Sequence, residues 1–79
     1  DGEDLVSAIS EALRFIDTAS SASDMLYLAK LYEHAGPTKD IKQAYYWYDV
    51  IVLNFPQSAE ASIAQKRLNY LRRFYFGIN

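Results

Sequence analysis

Residues able to do chemistry are few in this chain. His34 is the one histidine, and there is no cysteine. A metal ion needs three or four ligands at workable spacing, and His34 has no second one near it. Gly2, Gly36 and Gly77 stand alone, so no glycine-rich loop can cradle a phosphate. A nucleophile needs an adjoining base, yet the acids are scattered over polar positions and no two of them share an apolar surround. Seven tyrosines could donate protons, but they fall at helix-packing spacings. These residues point to binding rather than catalysis, with no cofactor and no metal.

The clearest binding chemistry lies near the C-terminal end. Lys66, Arg67, Arg72 and Arg73 surround Ile63, Tyr70 and Phe74. Cations mixed with aromatic rings can hold single-stranded nucleic acid. The whole chain is acidic, with an isoelectric point near 5.1, which argues against that partner. Basic residues at a helix end also suit the helix dipole. The tail "RRFYFGIN" is too short to lie stably on a membrane and has no second anchor. Its Phe74, Phe76 and Ile78 are expected to pack on this domain or on a following segment.

Charge is unevenly spread. Residues 1–37 hold seven acids and two bases, and residues 38–79 hold three acids and six bases, for a net charge of −2. Such polarity can steer a partner of matching polarity. The 79 residues suffice for one domain, and half of them are hydrophobic, enough for a core. The chain opens on Asp1 rather than Met, which points to a processed product or a piece of something longer. No apolar run approaches the ~20 residues that span a bilayer.

Four helices must position these residues. The first is expected over 4–19, with Leu5, Ile9, Ala12, Leu13 and Ile16 as its apolar stripe and acids at its start. The break "SSAS" follows, and Ser21 with Asp24 forms a capping box that opens a second helix over 22–35. Met25, Leu28, Ala29 and Tyr32 form the stripe of that helix, and Gly36-Pro37 stops it. The third helix is expected over 39–54, ended by Pro56. The fourth is expected over 58–76, capped by Ser58 and followed by Gly77. Ala61, Ala64, Leu68, Leu71 and Tyr75 make its core stripe. Short breaks imply antiparallel neighbours.

The third helix is apolar on two sides. At about 100° per residue, Ile41, Ala44, Tyr45, Trp47, Tyr48, Ile51, Val52 and Phe55 share one broad arc. Tyr46, Val50 and Leu53 fall opposite, with Lys42, Asp49, Gln43 and Asn54 between the arcs. The narrow side is expected to meet an adjoining repeat, a partner or the rest of this domain.

The spacing resembles the tetratricopeptide pattern, W-x₂-L-G-x₂-Y, then A-x₃-F, then P. Here it reads Met25-x₂-Leu28-Ala29-x₂-Tyr32, then Ala44-x₃-Tyr48, then Pro56. The turn between Tyr32 and Ala44 is three residues longer than that pattern has, and Asp40, Ala44 and Trp47 are similar to the related Sel-like repeats. The exit "NFPQSAEA" is similar to repeats of bacterial envelope proteins. The resemblance covers one full repeat, about 22–58. It implies an all-α fold of four antiparallel helices, stacked as hairpins in a right-handed array fragment. It also implies a non-catalytic scaffold or adaptor that binds another protein, in the bacterial periplasm or cell envelope. On that resemblance Leu26, Tyr27, Lys30, Glu33 and His34 face the binding groove, with Tyr46, Val50 and Leu53 as a second candidate surface. The competing reading is a homodimerising bundle or the cap of an array. A self-associating bundle would show a dimer by light scattering when alone.

Overall fold

The computed structural model describes residues 2–16, 20–34 and 39–76, with side chains between positions 6 and 75. Among the described residues there are four α-helices and no strand: α1 (Gly2–Leu13), α2 (Ala22–Glu33), α3 (Ile41–Asn54) and α4 (Ala59–Leu71). A π-helical turn, Arg72–Phe76, continues α4.

Each helix after the first starts where a side chain takes over an orphan N–H. The Ser21 hydroxyl accepts from the Asp24 N–H at 3.3 Å, Asp40 Oδ1 from the Gln43 N–H at 3.1 Å, and Ser58 Oγ from the Ala61 N–H at 3.0 Å. Two caps also fix the turns. The Asp40 N–H donates to the Tyr32 carbonyl at 2.8 Å, tying the start of α3 to the end of α2. The Ser58 hydroxyl donates to the Phe55 carbonyl at 2.7 Å, closing the turn through Pro56.

The helices alternate in direction. Ser23 at the start of α2 donates to Glu60 at the start of α4, at 2.8 Å, so these two run side by side in the same sense. That bond also lowers the Glu60 pKa. At the other end Arg72 Nε donates to the Tyr45 hydroxyl at 2.7 Å and Lys39 Nζ to the Tyr75 hydroxyl at 3.4 Å, so α3 runs against α4. α3 packs on both α2 and α4, α2 touches α4, and α1 packs on α2. The molecule is a slab of 33 × 29 × 15 Å.

The core joins all four helices. Tyr48, Met25, Leu28, Ile51, Leu68 and Leu71 are its largest fully enclosed side chains. Ala29, Ala44 and Ala64 are also fully buried. Small residues at these positions let helix axes approach closely, so a larger side chain there would overpack the core.

Several expectations are corrected. α1 ends at Leu13 rather than near 19. The Arg14 and Phe15 N–H groups bond three residues back, which tightens the last turn, and the Ser20 hydroxyl reaches the Phe15 carbonyl at 3.3 Å. Among the described residues α1 has one substantial neighbour, α2, so Ile9, Ala12 and Ile16 suffice to fill the contact and Leu13 stays exposed. α2 ends at Glu33, and His34 is its C-cap in extended conformation. α3 and α4 begin at Ile41 and Ala59, because Asp40 and Ser58 are caps outside the helices. Tyr75 is exposed: the π-helical turn alters the side-chain phase after Leu71 and carries the ring out of the core stripe to Lys39. Phe74 is 63% exposed rather than packed, touching Tyr70 at 4.8 Å between ring centres. The Gly36-Pro37 stop, Gly77, the acids at positions 1, 3 and 4, Leu5 and the end of the expected first helix lie outside the described residues or side chains.

Candidate functional site

The last turn of α2 carries a cleft of about 350 Å³ lined by Lys30, Glu33, His34, Tyr48 and Arg67. Three helices supply it. Lys30 and Glu33 come from the last turn of α2, Tyr48 from the middle of α3 and Arg67 from α4. The spacing of 30, 33 and 34 places these three residues on one helical face.

Glu33 is the acid at the centre. Arg67 approaches it with two nitrogens: Nε donates to Oε1 at 3.2 Å, and Nη2 pairs with Oε2. The Tyr48 hydroxyl donates to Oε1 at 2.7 Å. The Arg67 guanidinium also lies over the Tyr70 ring, 4.6 Å from its centre. A forked guanidinium on a carboxylate holds direction as well as charge. The carboxylate is thus occupied by the protein itself. Lys30 and His34 lie exposed on the rim, and Lys30 makes no ion pair among the described residues. The cleft therefore offers a lysine cation and an imidazole to a ligand.

Burial pushes the Tyr48 hydroxyl up to about 12. Burial, and then the charge of Asp40, raise Tyr32 as well. A phenol that holds its proton more tightly when folded adds stability that is complete below pH 10 and is lost as pH rises toward 12. The loss at Tyr48 is on the order of 2 kcal/mol. Urea midpoints at pH 9 and pH 11 should differ clearly in the wild type and less in Tyr48→Phe. Equal differences in both would show that another group governs alkaline unfolding.

The candidate residues divide among surfaces. Lys30, Glu33 and His34 come together in the cleft. Tyr27 lies one turn before Lys30 on the same exposed face of α2, but it lines a second cleft of about 310 Å³ toward α1. Leu26 does not face a groove. It is 8% exposed, because α2 packs against α1, α3 and α4 and its buried arc is wide enough to include it. The second candidate surface, on α3, is split. Tyr46 and Leu53 are exposed, Leu53 at 70%, but Val50 is 8% exposed and belongs to the core cluster with Trp47. Tyr46 stands edge-on to Trp47 at 5.3 Å.

Sequence reasoning missed Tyr48 and Arg67 as cleft residues. Tyr48 carries a core signal, and nothing in its spacing shows that its hydroxyl reaches a carboxylate one helix away. Arg67 sits at the right helical phase but 34 positions from Glu33.

Among the described residues no group of three or more His, Cys, Asp or Glu side chains could hold a metal ion, and no helix is long and apolar enough to cross a membrane. No protein-family model, curated protein or solved structure matches this chain.

Proposed function

We propose that this chain is a non-catalytic, protein-binding scaffold module of the tetratricopeptide-like class, and that it takes a segment of a partner protein at the cleft between α2 and α4. The observation that supports this reading is the state of Glu33. Its carboxylate is engaged by Arg67 and Tyr48, while Lys30 and His34 at the rim stay open to an incoming acceptor. Arg67 and Tyr48 act as a brace that holds the wall of the cleft. Lys30 supplies the charge that orients a carboxylate on the partner. The spacing of Met25, Leu28, Ala29, Tyr32, Ala44, Tyr48 and Pro56 supports the class. A bacterial-envelope setting rests on the exit sequence "NFPQSAEA" alone.

Affinity capture from native extract tests this, with each recovered partner then titrated calorimetrically. Lys30→Glu combined with His34→Glu should weaken a true partner at least about tenfold, with Leu53→Asp as an unaffected surface control. Equal affinity for both variants would remove the cleft from the reading. A second reading, a structural piece that associates with its own kind, is favoured by the exposed rings of Phe15 and Phe74.

A further inference from the structure

The two flanks of the slab carry exposed apolar side chains that no other part of the described chain covers. On one flank α1 and α2 enclose the cleft that contains Ala8, Ala12, Phe15 and Tyr27, with Glu11 and Asp24 on its rim. Phe15 is 75% exposed there. On the other flank α4 and the π-helical turn present Ile63, Tyr70 and Phe74, with Lys66 and Arg73 exposed beside them. Among the described residues α1 and α4 share no substantial interface, so neither flank can cover the other within one chain.

The charges of the two flanks are opposite. The acids that line the α1–α2 cleft are Glu11, which pairs with Arg14 at 3.4 Å, and Asp24. The α4 flank carries Lys66 and Arg73, while Arg67 is held by Glu33 and Arg72 by Tyr45. Like flanks repel one another, and unlike flanks attract.

We infer that copies of this chain stack head to tail, the basic α4 flank of one copy seating on the acidic α1–α2 cleft of the next. Phe74 and Tyr70 meet Phe15 and Tyr27, while Lys66 and Arg73 face Asp24 and Glu11. Two different patches meet in such a contact, so it does not close into a two-fold dimer and it propagates as a row. The row extends the α2–α3–α4 layer by the packing already present inside one chain. The proposed contact uses none of the residues that line the cleft at Glu33.

Sedimentation velocity from about 10 µM to about 1 mM should show an average mass that grows past the dimer. Raising salt from about 50 to about 500 mM should weaken the association at least tenfold, because the Debye length falls below the separation of facing charges. Phe15→Lys should block the acidic flank and Phe74→Asp the basic one, each giving monomers of wild-type helicity. Mixed in equal amounts, these two variants should pair one to one and stop there, because each retains the flank the other needs. Asp24→Lys with Arg73→Glu repeats the complementation without touching an aromatic ring. A wild type that stays monomeric throughout, a mixture that does not pair, or a dimer that survives both substitutions would each overturn the inference. Lys30→Glu should leave the row intact, so this result and the partner titration can fail independently.

Discussion

Tyr48→Ala is expected to remove a large share of the domain's folding stability. Tyr48 is wholly enclosed in the middle of α3, the helix packed against both α2 and α4. Removing its ring forfeits packing on both sides and leaves a cavity, at a cost of about 3–5 kcal/mol. It also strips Glu33 of a donor that now sits 2.7 Å away. A domain of this length has a total stability of about 4–12 kcal/mol, so the loss is a large share of what holds it folded. Tyr48→Phe keeps the ring and loses only the hydroxyl bond, at about 1 kcal/mol. Urea titration followed by circular dichroism at 222 nm separates the two contributions. If Tyr48→Ala costs no more than Tyr48→Phe, the ring is not the centre of the core.

Val50→Asp should be nearly as severe, and Leu53→Asp nearly silent. Both residues lie on the narrow apolar side of α3, and sequence spacing alone treats them as a pair. The structure separates them, at 8% and 70% exposure. An aspartate at position 50 would place a carboxylate in the core cluster with no positive partner, a cost of several kcal/mol. An aspartate at position 53 points into water and should change stability by less than about 0.5 kcal/mol. Thermal melts of the two single variants check this: loss of a cooperative transition for Val50→Asp, and a midpoint near the wild type for Leu53→Asp. Similar melts would put both residues on the same surface.

Much of the fold was legible because its signals are local. Ser21, Asp40 and Ser58 each precede a helix, and each accepts from the N–H three positions on. The stripes Met25-Leu28-Ala29 and Ala61-Ala64-Leu68-Leu71 repeat at helical spacing and are buried. What failed depends on how many neighbours a helix has. Leu13 reads as core, but among the described residues α1 packs substantially on α2 alone; Leu26 reads as surface, but α2 packs on three helices. A helical wheel carries no information on that count. The π-helical turn was also invisible, since "RRFYF" obeys no rule that separates it from an ordinary helix end. For the cleft, spacing brought Lys30, Glu33 and His34 together, because they are neighbours on one helix. The brace from α3 and α4 was out of reach, because it depends on tertiary placement.

Among the described residues α1 is attached mainly to α2, and this governs how the molecule opens. Local opening is cheapest where the fewest apolar contacts must break. α1 can therefore peel away while α2, α3 and α4 stay assembled, making the N-terminal helix the first cooperative unit to unzip. Whatever seats against the α1–α2 cleft would pin that helix down. Its backbone amides would then exchange with solvent more slowly as the protein is concentrated.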